Sequence, residues 1–105
     1  MGITFRQGDT AEPISGFLEN EDGSVINNLD QAVVDVYLQG EDGSMIIDGE
    51  QANIVDTSTG KIEYPVSEDE VDTPGDHDLW FEVRWSDGKK IVPTQDDVEF
   101  FIEET

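Results

Sequence analysis

The sequence predicts an all-β fold, an immunoglobulin-like β-sandwich of about seven to eight mostly antiparallel strands. Three observations lead to this prediction. Apolar and polar residues alternate in short runs, which is typical of half-buried strands. Turn-forming pairs such as Asp42-Gly43 and Asp48-Gly49 separate the runs, because glycine accepts the positive φ that a tight turn requires. No run places its apolar residues at helical spacing. A β-barrel is the alternative architecture.

Four runs carry the alternation, and each offers one apolar face to a shared core. In the first of them Val36 points to one face, whereas Asp35 and Tyr37 point to the other. The residues predicted to face the core are Val34, Val36 and Leu38; Ile62, Tyr64 and Val66; Leu79, Phe81, Val83 and Trp85; and Val98, Phe100 and Ile102. Because proline cannot donate to a ladder, the strands at Pro65 and Pro93 should lie at an edge or end there.

Length and motif content limit the classes of protein that fit. The chain has 105 residues, so we expect a single domain over residues 1–105. It contains no cysteine, which excludes disulfides, thiolate metal sites and cysteine nucleophiles. No nucleophile elbow or phosphate loop is present, so we predict no enzyme and no cofactor; a hydrolase with paired carboxylates is the alternative in that class.

The charge is strongly negative, with 26 acidic residues against five basic ones and a net charge of −21. Self-repulsion at this density opposes compaction at low ionic strength. At about 1 M salt the Debye length falls to about 3 Å, which screens most of the repulsion. Acids spread evenly through a lysine-poor chain are typical of halophilic proteins, and we predict a haloarchaeal protein or one from a haloarchaeal virus. Nucleic acid and anionic membranes are excluded as partners of the general surface, because both require positive charge.

No apolar run reaches the length of a signal peptide or of a membrane span. We therefore expect a protein that is cytoplasmic when made.

An acid-rich segment, residues 68–78, raises the question of a metal site. The candidate ligands there are Asp69, Asp72, Asp76 and Asp78. Their spacing does not match a calcium-binding loop, and so acidic a chain produces such clusters by composition alone, so we expect a hydrated loop. His77 is the single histidine; a transition-metal site needs more nitrogen or sulfur ligands than it supplies, and we interpret it as structural.

Three aromatic residues fall on strand faces opposite the core, namely Tyr37, Trp80 and Phe101. Such residues either pack beneath a loop or an edge, or they form a surface for a partner, where Trp and Tyr are common anchors. Arg84 shares the face of Trp80 and is predicted to stack on its ring or to pair with an acid across the strand.

The opening stretch FRQGDT, residues 5–10, leads to a family. It resembles the aromatic–x–Arg–Gly–Asp–Thr entry of the immunoglobulin-like amino-terminal domain of phage baseplate upper proteins, with one spacer rearranged. Residues 54–64 resemble that family's Ile–x–Asp…Gly–x–Val–x–Tyr hairpin, and residues 73–93 resemble its closing Glu–Phe–x–Val…Asp–Gly…Pro segment. His77 departs from the pattern, since an aromatic Tyr is usual at its position.

The resemblance implies a non-enzymatic assembly module, because the family uses this domain to dock onto neighbouring baseplate proteins. Baseplate upper proteins continue into long trimeric regions, whereas this sequence ends at Thr105. The resemblance therefore implies a separate small virion protein, or a provirus-encoded head–tail or baseplate subunit. The implied partners are other virion or tail proteins, with a homo-oligomer as an open alternative. The rival prediction is an adhesin-like or carbohydrate-binding sandwich, with calcium in one version, built around Tyr37, Trp80 and the loop 68–78.

Arg6 has two interpretations. Its five donors can hold a carboxylate of a neighbouring strand, so we predict that Arg6, with Asp9 and Thr10 forming the adjacent bend, clamps the first strand to the sandwich. The alternative is an exposed arginine that docks onto a partner, since arginine is enriched at interfaces.

Overall fold

The computed structural model describes residues 2–19, 24–26, 28–92 and 98–104. Within these residues the chain forms nine strands, two short 3-10 helices and no α-helix, which confirms the predicted all-β fold. The strands are β1 Gly2–Arg6, β2 Ile14–Phe17, β3 Val33–Gly40, β4 Met45–Gln51, β5 Asn53–Asp56, β6 Lys61–Tyr64, β7 Gly75–Trp85, β8 Gly88–Val92 and β9 Val98–Glu103. The 3-10 helices are Leu29–Gln31 and Glu68–Val71. None of the described residues belongs to a helix that is long and apolar enough to cross a membrane.

The strands form two sheets. The large sheet has the order β1-β9-β7-β3-β4, and β8 pairs with β7 beside β9. Strand β7 is long enough for both, because its first half pairs with β9 and its second half with β8. The pairing of β1 with β9 is parallel, whereas the other pairs are antiparallel. The small sheet has the order β2-β6-β5.

The inner faces of both sheets supply one core, as the alternation predicts. Val34, Val36 and Leu38 of β3 are buried, and so are Ile62 and Tyr64 of β6. The other predicted core residues that are buried are Val66, Leu79, Phe81, Val83, Phe100 and Ile102. Trp85 is half-buried against the same cluster, while the side chain of Val98 and all of Pro93 lie outside the described residues. Strand β6 ends at Tyr64, directly before Pro65, as expected.

The turn predictions hold at some positions and fail at one. Gly60 ends the turn before β6 with φ +77, and a Cβ there would lie 2.5 Å from the carbonyl oxygen of Leu18, so a side chain would push the two segments apart. Asp48-Gly49 is not the predicted turn between strands: it lies inside β4, where the register with β3 shifts by one residue. Gly49 adopts φ +85 at this bulge. The pair therefore has the positive φ that the prediction requires, but it forms a bulge and not a turn.

Candidate functional site

The outer face of the large sheet carries the aromatic residues that the sequence singles out, and we name the surface around Tyr37, Trp80, Asp35, Arg84 and Glu82 the aromatic face. Tyr37 of β3 lies directly opposite Trp80 of β7. Their rings stack with centroids 5.5 Å apart and planes 3° from parallel. Both side chains are half-buried. Each ring therefore covers part of the other, and a stacked pair contributes about 0.5–1.5 kcal/mol beyond area burial.

An ion pair flanks the stack. The Nε of Arg84 donates to Oδ2 of Asp35 at 2.7 Å, diagonally across β7 and β3. Asp35 is only 6% exposed although its position faces outward, because the arginine covers it. The hydrogen bond to this carboxylate raises the pKa of Arg84 above its ordinary value. Of the two interpretations of Arg84, the cross-strand pair is the one the structure shows.

The bulge in β4 shapes the Tyr37 end of the aromatic face. The Tyr37 hydroxyl donates to Oε2 of Glu82 at 3.4 Å. Burial and the nearby Glu82 carboxylate raise the pKa of Tyr37. A Cβ at residue 49 would lie 3.3 Å from the Tyr37 hydroxyl oxygen, so Gly49 serves both the positive φ of the bulge and the position of this ring.

Phe101 lies on the same outer face but apart from the stack. It lies on β9 opposite Asp76 of β7. Asp76 and Trp80 are four residues apart on β7, which is roughly 13 Å along a strand. Its side chain is 40% exposed. The predicted aromatic residues therefore form a stacked pair and a separate phenylalanine, not one continuous cluster.

The opening stretch is anchored by residues next to Arg6. The backbone N–H of Gln7 donates to the Glu103 carbonyl at 2.8 Å, and that of Gly8 donates to the Val71 carbonyl at 3.0 Å. The Gln7 side-chain amide also donates to the Asp72 carbonyl at 2.8 Å. These contacts tie the end of β1 to β9 and to the second 3-10 helix.

Arg6 itself is exposed and forms no ion pair with a carboxylate among the described residues. It lines a shallow open pocket of about 160 Å³ together with Asp9, Glu12 and Glu103. Asp9 accepts the backbone N–H of Ala11 at 3.0 Å, which makes the expected bend, and Thr10 is exposed. The clamp stays a prediction for Arg6, and its side chain is open to a partner.

The acid-rich segment separates its carboxylates. Asp69 and Asp72 lie at the second 3-10 helix, whereas Asp76 and Asp78 point outward from β7. In the described part of the chain no three His, Asp or Glu side chains come close enough to hold a metal ion. His77 faces the core: its Nδ1 lies 2.9 Å from the Gly75 carbonyl oxygen, and its ring meets Phe100 edge-on at 6.2 Å. Its Nε2 is buried without a hydrogen-bond partner among the described residues.

One surface was missed by the sequence analysis. Phe17 of β2 and Val55 of β5 are 59% and 51% exposed on the outer face of the small sheet. The alternation in β2 contained the signal, because Ile14 is buried and Phe17 has the opposite parity. Val55 likewise has the opposite parity to Ile54, which packs against the core.

Comparisons with known proteins bear on the fold. No protein-family model matches the chain, and no curated protein matches it. Among solved structures, the N-terminal domain of phage TP901-1 ORF48 is similar, with a TM-score of 0.64 and 17% identity. The similarity covers 96% of this chain and 83% of that one. At this identity it shows that the two share a fold.

Proposed function

We propose that this chain is a non-enzymatic structural module of a tailed virus or provirus, which acts in the baseplate or in tail attachment and binds other virion or tail proteins. The observation that carries the proposal is the similarity of fold to a phage protein domain over 96% of the chain. The opening stretch, residues 5–10, supports the same proposal, because its motif resembles that of a baseplate protein family. The virion is the corresponding location.

The aromatic face is the proposed docking surface. Tyr, Trp and Arg are the side chains that most often dominate binding at interfaces, and Tyr37, Trp80 and Arg84 lie together there. The stack and the ion pair already hold these side chains in one arrangement, so a partner would lose little side-chain entropy on binding. Phe101 is a separate exposed contact on the same side of the large sheet, and Arg6 offers another on the edge strand β1.

The proposed host is a haloarchaeon, and the charge supports it. With a net charge of −21, the chain should be stable only where salt screens its acids. Circular dichroism at low and at multimolar KCl tests this part: we expect a higher melting temperature at high KCl. Equal stability in both solutions would refute the halophilic origin and would leave the proposed viral role unaffected.

The viral role is tested in particles. Mass spectrometry of purified particles from the host that carries the gene should detect this chain together with tail proteins. Loss of the gene should give particles that lack tails or fail to attach them. A chain that is absent from the particles, with assembly unaffected by its loss, would contradict the proposal.

Variants identify the docking surface within that assay. The Tyr37→Ala/Trp80→Ala double variant should fail to restore assembly, provided that circular dichroism shows it folded. Thr73→Ala is the control, because it changes an exposed residue in the loop before β7, on neither outer sheet face. Equal rescue by both variants would exclude the aromatic face.

Arg6→Ala separates the two interpretations of Arg6. A lower melting temperature would support the clamp, whereas lost assembly at unchanged stability would support docking. Arg6 is exposed and has no ion-pair partner among the residues that the structure describes, so we expect the second result.

A further inference from the structure

The outer face of the small sheet carries exposed apolar side chains. Among the described residues the two most exposed large apolar side chains are Phe17 and Val55, and both lie on this face. An exposed apolar patch on a small soluble domain is a common sign of an interaction surface.

The two side chains belong to one row across the sheet. Phe17 of β2 is directly opposite Lys61 of β6, and Lys61 is directly opposite Asp56 of β5. The register shift between Ile54 and Asp56 makes Val55 the extra residue beside this row. Two strand spacings separate the ends of the row, which is about 10 Å. We name Phe17, Lys61, Val55, Asp56 and Glu63 the small-sheet patch.

The charges of the patch fit a second copy of this chain. The patch carries one lysine, Lys61, and two acids, Asp56 and Glu63. These charges are self-complementary. In a two-fold contact the same surface faces itself, and Lys61 of each copy can meet Asp56 or Glu63 of the other while the apolar side chains pack between them.

We propose that the small-sheet patch is the interface of a homodimer of this chain. The large sheet takes no part in it, so both aromatic faces stay open, and the proposal stands independently of the viral role. Salt should strengthen the dimer, because screening removes the repulsion between acidic copies while apolar burial persists at high ionic strength.

Sedimentation equilibrium of the full chain over a range of concentrations tests the dimer. In multimolar KCl we expect a mass approaching twice 11.7 kDa, with association weakening as KCl is lowered within the range where circular dichroism shows a folded chain. A monomer at every concentration and at every salt level would overturn the proposal.

A matched pair of phenylalanines locates the interface. Phe17→Ser should weaken dimerisation by at least about tenfold, as expected for an apolar anchor. Phe101→Ser changes an exposed phenylalanine on the other sheet and should leave the dimer unchanged. The reverse pattern, or equal effects of the two variants, would overturn the assignment to the small-sheet patch.

A charge exchange tests the geometry of the contact. Lys61→Glu should weaken the dimer, and adding Asp56→Lys to it should restore part of the association. Asp56 also accepts hydrogen bonds from Ser58, so Lys61→Glu with Glu63→Lys, which leaves that turn intact, is the second double variant and keeps the test valid if Asp56→Lys lowers the melting temperature. A dimer that is indifferent to Lys61→Glu would show that the copies meet elsewhere.

Discussion

The outer faces of the two sheets are built differently although their inner faces share one core. On the large sheet Tyr37 stacks on Trp80 and Arg84 covers Asp35. On the small sheet Phe17 is left uncovered. Strand length explains the difference. Strands β3 and β7 have 8 and 11 residues and pair along the whole of β3, whereas each strand of the small sheet has four residues.

Long paired strands give an outward side chain a partner within the fold, both directly opposite and on the diagonal. Short strands give it few such partners. An outward aromatic residue on a short strand therefore stays available to another molecule, while one on a long strand is first organised by its own neighbours.

The largest expected effect tests the shared core beneath both faces. Leu38 of the large sheet and Ile62 of the small sheet are both fully buried. Leu38→Ala and Ile62→Ala should each lower the free energy of unfolding by about 2–5 kcal/mol, measured by denaturant unfolding in multimolar KCl. A cost well below this range for Ile62→Ala alone would show that the small sheet does not share the core.

The next effect contrasts the two arginines. Arg84→Ala leaves the buried Asp35 carboxylate without the hydrogen bond from Arg84, so we expect a clear fall in the free energy of unfolding, measured by denaturant unfolding. Arg6→Ala removes an exposed side chain without an ion pair among the described residues, so its change in free energy of unfolding should stay within about 0.5 kcal/mol. Similar losses of free energy of unfolding in the two variants would show that Arg84 stabilises the fold no more than Arg6 does.

A smaller effect measures the stack itself. A double-mutant cycle of Tyr37→Ala and Trp80→Ala should give a coupling free energy of about 0.5–1.5 kcal/mol. The matching cycle of Phe17→Ser and Val55→Ser should give a coupling near zero in dilute monomeric protein, because about 10 Å separates the two positions. Equal couplings would mean that the two outer faces are organised alike.

The smallest effect compares two exposed turns of the same design, one beside each sheet. Asp42 accepts the N–H and hydroxyl of Ser44, and Asp56 accepts those of Ser58. These hydrogen bonds lower the pKa of both carboxyl groups. A lowered pKa in the folded state stabilises the protein above the ordinary aspartate pKa of about 3.9 and is lost as pH falls through the folded value.

Ser44→Ala and Ser58→Ala should therefore each destabilise the fold slightly at neutral pH. The difference from the parent chain should disappear below the folded pKa of the aspartate, as followed by melting temperature against pH. A difference that persists at low pH would assign the serines a role other than hydrogen bonding to the carboxylate.

Local alternation explains what the sequence could predict. Period-two patterns gave the inner faces of β3, β6 and β7 and the outward positions of Tyr37 and Trp80, because side-chain direction in a strand is a local property. The prediction of a turn at Asp48-Gly49 was wrong, because a tight turn and a bulge require the same positive φ. The two structures differ in how the neighbouring strands pair, which the local sequence does not show.

Pairing between distant segments explains what the sequence could not predict. The parallel contact of β1 with β9 and the partner of Arg84 on β3 depend on strand order. The same holds for the anchoring of the opening stretch, where Gln7 and Gly8 donate to carbonyls of β9 and of the second 3-10 helix segment. The register shift that sets Asp56 opposite Lys61 depends in the same way on the pairing of β5 with β6.

The proposed docking through the aromatic face is tested most directly by a cryo-electron microscopy map of assembled particles. We predict density for this sandwich in the tail or baseplate, with Tyr37 and Trp80 covered by another virion protein and the charged pair of Asp35 and Arg84 at the rim of the contact. Particles without the sandwich, or a sandwich whose aromatic face points to solvent, would contradict it.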